Sequence, residues 1–321
     1  MTRYRTFGAD SGRWDRFEFR PGDIVISSPP RSGTTWTQVL CALLVFGGPD
    51  FPAPLERVSP WLDQQTRPIG DVLADLAAQR HRRFVKTHTP LDGLPWRDDV
   101  VYLMVGRDPR DVAVSLCHHF ANLDLDRLKT VRANAVGLDD LADLPPRVRP
   151  PTDPAAHFRV FVEVDSLGGP ATLATVLNHL STGWERRANA NVALFHYADY
   201  LADLPGELMR LGRVLGIEVD DPRASSLARH AALDQMRERI GDVVPNASDG
   251  IWLNPDAFLR QGSSGQWRDL IAAEDLARYD ERVASLVPPD LAAWAHGGRL
   301  ARGVNVGGLT VPSANSATGA T

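Results

Sequence analysis

Between Asp23 and Phe46 the chain reads DIVISSPPRSGTTWTQVLCALLVF, and no other stretch limits the fold as strongly. Ile24, Val25 and Ile26 form an apolar run of the length a buried parallel strand needs, and a Ser-Pro-Pro-Arg-Ser-Gly turn follows it. Beyond the turn the period changes: Trp36, Val39, Leu40, Leu43 and Leu44 recur at helical spacing until Gly47 and Gly48 stop the pattern. Strand, tight turn and helix N-terminus together cradle an anion, because the first helical N–H groups have no backbone partner and the helix dipole favours negative charge. A phosphate or a sulfate is therefore expected here. In the nucleotide-triphosphatase loop G-x-x-x-x-G-K-[ST] a lysine reaches the outer phosphates and a hydroxyl holds magnesium. Aligned on Gly33, this chain has Ser28 for the first glycine and Thr34 for the lysine, with its cation moved to Arg31. The cradle survives and the triphosphatase reading weakens.

The length of 321 residues with 43% hydrophobic content suits one large α/β domain. A net charge of −5, from 35 Lys+Arg against 40 Asp+Glu, gives no footprint for nucleic acid, so any basic pocket is local. Cys41 and Cys117 are the only cysteines, which excludes a disulfide framework or a CxxC metal site and fits a reducing compartment. No run is apolar enough for a signal peptide or a membrane span, so a cytoplasmic protein with no transmembrane segment is expected. From about residue 300 to 321 the Gly, Ser, Thr and Ala content marks a flexible tail behind a single domain over 1–299.

Three further stretches carry chemistry. Arg83–Pro90, RFVKTHTP, reads as a strand ending at a proline; extended backbone sends alternate side chains to one face, so Lys86 and His88 point the same way, a fixed cation beside a base. The other eight histidines are expected to be ordinary surface or core residues, and Trp61, in the proline-rich connection Pro49–Pro68, ordinary loop packing. Val100–Val105 is the clearest buried strand; it ends in Gly106-Arg107 where a triphosphatase would carry an acid. Asp108 and Pro109 then start a helix that runs to Phe120, placing Arg107 and Ser115 where both can face a phosphate. The plainer alternative for Arg107 is an ion pair with Asp108 or Asp111. Thr172–Arg187 reads as a helix, Asn191–Tyr197 as a strand, and Pro205 as the start of another helix, so strands alternate with helices as in a parallel sheet covered on both faces. The segment 121–170 has poor periodicity and is assigned to substrate-side loops and short helices. Arg260-Gln261-Gly262, within RQGSSGQW, is a glycine-rich loop with one cation, weak alone.

Taken in order, PPRSGTTW, KTH, GRDPRDVAVS, FHYADYLADLP and RQGSSGQW resemble the cytosolic-type sulfotransferase superfamily, and longer stretches such as HRRFVKTHTPLDGL and NVALFHYADY look like its mycobacterial-type glycolipid members. The resemblance runs from about Arg13 to Arg299. It implies a P-loop type three-layer α/β fold with a central parallel sheet flanked by helices. It implies transfer of a sulfonate from 3′-phosphoadenosine 5′-phosphosulfate (PAPS) to a hydroxyl of a glycolipid or other lipophilic acceptor, leaving the bisphosphate PAP and requiring no metal. Carried over, Arg31, Ser32, Gly33, Thr34 and Thr35 form the 5′-phosphosulfate loop, with Trp36 beside the adenine and Tyr197 against the nucleotide. Arg107, Ser115, Arg260, Gln261 and Gly262 surround the 3′-phosphate. His88 is the general base, with Lys86 and Arg31 stabilising the sulfonate and the departing phosphate. Arg31 stands where the family usually has lysine, which keeps the charge but argues against leaving-group protonation by this residue. Gln261 stands where many members have a cation, and His230–Met236 lacks the usual hydroxyls and ring, which predict weaker nucleotide binding. Sulfation of a small phenol or alcohol, a non-catalytic nucleotide-binding regulator and, last, a P-loop kinase or ATPase are the alternatives.

Overall fold

The computed structural model describes residues 1–144, 149–166, 168–169 and 171–301. Four strands, β1 (Ile24–Ser27), β2 (Phe84–Thr87), β3 (Val101–Gly106) and β4 (Val192–His196), form one sheet in the order β2-β1-β3-β4. All neighbours are parallel, with Ile26 opposite both Lys86 and Leu103, and Met104 opposite Leu194. Every residue of β1, β2 and β4 is buried; β1 and β4 accordingly read as apolar runs, whereas β2 is apolar only at Phe84 and Val85 and buries Lys86 and Thr87 as well.

The pleat sorts them into two cores. Val25, Val85, Tyr102 and Met104 pack on one face, under α6 (Pro154–Glu163) and α7 (Leu173–Trp184). Ile24, Ile26, Leu103, Val105 and Phe195 face the other, under α1 (Thr34–Phe46) and α9 (Leu204–Leu215). The result is the expected three-layer α/β sandwich. Short helices α2 (Leu55–Val58) and α3 (Ile69–Ala78) fill the β1–β2 connection.

Several boundaries move for local reasons. The strand expected to end at Tyr197 ends at His196, because the His196 ring accepts the Ala198 N–H and so caps α8 (Tyr197–Ala202). Thr172 is the N-cap of α7 rather than its first residue, through a capping box with Thr175. The segment 121–170 is more regular than its periodicity suggests: α5 (Leu125–Val136), capped by Asp124, precedes α6, capped by Asp153. The expected tail falls almost wholly on 302–321, outside the described residues; ahead of it Arg299 is fixed by the buried carboxylate of Glu207 at 2.7 Å. Among the described residues no helix is long and apolar enough to cross a membrane.

Candidate functional site

β1 connects to β2 on one side, while β3 lies on the other, so the chain reverses its winding at β1. Crevices form at such switch points, outside the carboxyl ends of the strands. Here each strand delivers one side chain to that end: β1 leads to Arg31, β2 to His88, β3 to Arg107 and β4 to Tyr197. All four line a single cavity of about 830 Å³.

The loop after β1 turns through two left-handed residues, Arg31 (φ 65°) and Gly33 (φ 96°). Gly33 is required twice over: the conformation disfavours a side chain, and a Cβ there would meet the Tyr197 ring at 3.0 Å. Ser28 and Thr34 hydroxyls close the base of the turn at 2.6 Å, and the helix N-terminus then opens on the cavity. Arg31 donates from Nε to Ser115 Oγ (3.0 Å) and from Nη2 to the Phe258 carbonyl (2.9 Å). Arg107 donates to the carbonyls of Arg31 (3.0 Å) and Ser263 (3.1 Å) and lies 4.3 Å over the Tyr197 ring.

Arg107 therefore escapes the ion pair that its neighbours offered. Asp108 is taken by Arg110, and Asp111 accepts the N–H groups of Gly265 (2.9 Å) and Gln266 (3.1 Å), pinning the glycine-rich loop to the start of α4 (Pro109–Ala121). Arg260 is held by the side chain of Gln266. Arg31, Arg107 and Arg260 thus share one pocket, and none of them pairs with a carboxylate among the described residues. Burial, then the charges of Arg107 and Arg260, lower the Arg31 pKa to about 10. A buried cluster of like charges needs an anion with more than one charge to offset it.

His88 and Lys86 occupy the next part of the cavity. His88 is pushed well below the usual histidine range by burial and by the Lys86 charge, and burial together with Arg31 lowers Lys86 to about 8. Trp61, expected to be plain loop packing, lies against both: its ring is 4.7 Å from Lys86 Nζ, and the His88 ring meets it edge-on at 4.7 Å. The cause is a long-range bridge, Lys86 N–H to the Pro60 carbonyl at 2.9 Å, which lays the loop along β2. His119 and His179, read as ordinary histidines, also line the cavity. His179 meets Ser27 Oγ at 2.8 Å; since that hydroxyl gives its proton to the Thr89 carbonyl, His179 is the donor.

Beyond the base the cavity becomes apolar. Leu123, Trp252, Ile251 and Phe258 form a core cluster of their own, with Leu125 and Leu128 of α5 packed on it. Facing it runs the segment Tyr4–Ala9, secured by Tyr4 Oη to Asp92 (2.9 Å) and by the buried Arg132, which donates to the Phe7 carbonyl (2.9 Å).

Of the candidates named from sequence, Arg31, Gly33, Thr34, Thr35, Trp36, Lys86, His88, Arg107, Ser115, Tyr197, Arg260, Gln261 and Gly262 all line this one cavity. Ser32 does not; its side chain is fully buried beneath the loop. The residues missed were Trp61, His119, His179 and the Tyr4–Ala9 segment. Trp61 directly follows a proline in a long loop before β2, a faint signal; the others carry no local signature.

A parallel sheet with an anion loop at its switch point, an arginine in place of the strand-end acid and a histidine beside the loop define a group-transfer enzyme built on the P-loop plan. More particularly, the chain belongs to the sulfotransferase domain family, whose model matches residues 21–289, and it is a sulfotransferase. It is 50% identical to a glycolipid sulfotransferase of Mycobacterium bovis, covering 92% of this chain and 94% of that protein. Against bovine sulfotransferase 1E1 identity is 24%, with 83% of each chain covered. Among solved structures, retinol dehydratase in complex with androsterone and inactive cofactor PAP superposes with a TM-score of 0.66 at 25% identity, covering 87% of this chain and 84% of that one. Mouse sulfotransferase SULT7A1 complexed with PAP shares the fold at a TM-score of 0.62 and 20% identity, over 87% of this chain and 89% of that one.

Proposed function

We propose that this sulfotransferase takes its sulfonate from PAPS and delivers it to a hydroxyl of a glycolipid. The observation that carries the donor assignment is the cluster of Arg31, Arg107 and Arg260, paired with no carboxylate among the described residues, at the mouth of a helix N-terminus. In this reading the 5′-phosphosulfate lies on the loop Arg31–Thr35, and the 3′-phosphate on Arg107, Ser115 and the Arg260–Gly262 loop. The adenine lies by Trp36, whose ring already packs edge-on against Tyr197 at 5.3 Å. His88 takes the acceptor proton as the hydroxyl oxygen attacks sulfur in line. Lys86 and Arg31 offset charge on the sulfonate and on the departing phosphate. The protein's own cations serve both phosphates, so this reading assigns no metal.

The glycolipid acceptor rests on the 50% identity to a protein of that name and on the apolar end of the cavity at Leu123, Leu128 and Trp252. Residues 1–299 act as one domain, and two unpaired, buried cysteines suit a cytoplasmic setting. The test is calorimetric binding of PAP against ADP without magnesium, followed by transfer from radiolabelled PAPS to a long-chain glycolipid and to 4-nitrophenol. Preference for PAP and for the glycolipid is expected. Equal binding of PAP and ADP would overturn the donor site, and preference for the phenol would overturn the acceptor class.

A further inference from the structure

Behind the reaction cavity lies a second, much smaller one of about 30 Å³, enclosed by Glu56, Ser59, Trp61, Arg67, Lys86 and Asn246 among others. Lys86 borders both. The chamber mixes these polar groups with the apolar side chains of Leu55, Val72 and Val243, and it has room for about one water molecule, which the polar members can partner. On its far wall the Glu56 carboxylate accepts the Asn246 N–H at 2.7 Å. Among the described residues neither Glu56 nor Lys86 makes a direct ion pair, whereas Arg67, the other charge on the wall, is satisfied by Asp75 at 2.6 Å. Two residues of opposite charge, neither in a direct ion pair among the described residues, thus border one water-sized space.

The sequence adds a second observation. Lys86 and Lys129 are the only lysines in the chain; every other one of its 35 basic residues is arginine. An arginine keeps its charge wherever it is buried, but a lysine can be neutralised. A neutral amine at position 86 would bring no charge to a sulfonate. The groups that face it pull in both directions. Arg31 and His88 lie on the cavity side, and Asp63 lies below, its carboxylate accepting the hydroxyls of Thr87 and Thr89 at 2.5 Å each. Glu56 and Arg67 lie across the chamber. The face of Trp61 supplies a weak cation–π contact and no proton acceptor.

We propose that Glu56 is a positioning residue for the transfer reaction: across the small chamber its carboxylate is the counter-charge that keeps the Lys86 ammonium protonated and in place beside the reaction cavity. This rests on the proposed role of Lys86 at the sulfonate. A water in the chamber carries the interaction, accepting from Nζ and donating to the carboxylate. Burial and Arg31 lower the Lys86 pKa, and Asp63 and then Glu56 oppose them. Of the two acids, Asp63 borders neither cavity, its Oδ2 holding Thr87 and Thr89 and its Oδ1 buried without a partner, whereas Glu56 borders the chamber that Lys86 shares, which makes Glu56 the acid that can answer Lys86 through it.

With only two lysines in the chain, the experiment can read Lys86 directly. In full-length protein labelled with 15N-lysine, the two ammonium groups are titrated by NMR and assigned with Lys129→Arg. In Glu56→Gln the Lys86 midpoint should fall by about one unit, the smaller end of what a nearby opposite charge does, while Lys129 stays. Glu56→Asp, which keeps the charge one methylene further back, should fall between the two and serves if the glutamine variant does not fold. A Lys86 midpoint that stays at the wild-type value in either folded variant overturns the proposal. PAP is titrated calorimetrically into the same samples. Failure of PAP to bind wild type would remove the reading of the cavity and leave the Glu56–Lys86 coupling to be judged on its midpoint.

Discussion

His88 donates from Nδ1 to the backbone carbonyl of Ser28 across 2.7 Å. A carbonyl can only accept, so the bond fixes the ring proton on Nδ1 and leaves the Nε2 lone pair as the basic site. It also ties the histidine after β2 to the residue that opens the anion loop after β1. Replacing His88 with alanine should therefore lower kcat by roughly 10²–10⁴, the usual contribution of a positioned general base, and leave PAP affinity unchanged. Steady-state kinetics and calorimetry on one preparation decide this, and near-normal turnover would remove His88 from the mechanism.

Arg107→Ala should weaken PAP binding by roughly 1.5–3 kcal/mol, the scale of a hydrogen bond to a charged group, with little change for ADP. The guanidinium also donates to the carbonyls of Arg31 and Ser263, so a general loosening of the site is the competing outcome. Equal losses for PAP and ADP would indicate that loosening rather than recognition of a 3′-phosphate.

Gly33→Ala places a Cβ at 3.0 Å from the Tyr197 ring on a backbone with φ 96°. The expected cost is about 1–2 kcal/mol of folding stability from the left-handed conformation, together with loss of nucleotide affinity as the loop shifts. Urea denaturation measures the first and calorimetry the second; an unchanged PAP affinity would mean the loop does not hold the nucleotide.

Acid should destabilise the fold. Burial lowers His179 to about 3 and His196 to about 4, both below the unfolded value of about 6.5. Between those values the unfolded chain binds more protons than the native one. The stability is therefore fully present above pH 6.5 and is lost as pH falls toward 4, by up to about 1.4 kcal/mol per pH unit for each histidine. His196 accepts the Ala198 N–H and donates to the Ala295 carbonyl at 3.1 Å, and it cannot do both once protonated. Urea midpoints near pH 7 and near pH 5 should separate in wild type and less in His196→Gln; equal separations would acquit His196.

Leu128 lines the cavity beside the cluster of Leu123 and Trp252. Leu128→Glu should cost a long-chain glycolipid roughly 1–3 kcal/mol in kcat/KM, the penalty for setting an unpartnered polar group against apolar surface. A short-chain acceptor with the same head group should change little. Equal effects on both acceptors would place the lipid chain elsewhere.

Local rules in the sequence determined the sheet, the anion loop and the positions of Arg31, His88 and Arg107. Buried parallel strands such as β1 and β3 are apolar runs, the start of α4 carries its Asp108 cap, and these residues lie directly after a strand end or in the turn that follows it, where a doubly covered sheet opens. Tertiary structure alone decided what surrounds them. Trp61 reaches Lys86 through a bridge to β2, Tyr4–Ala9 is secured by Asp92 and Arg132, and Glu56 and Lys86 border one small chamber lined by separate parts of the chain. Such contacts join residues tens to more than a hundred positions apart, and they depend on packing geometry, which leaves no periodicity in the chain to read. Arg107 makes no ion pair with the two aspartates beside it for one local and one tertiary reason: Asp108 is taken by Arg110 two residues on, and Asp111 accepts the N–H groups of Gly265 and Gln266, which only the folded chain brings near.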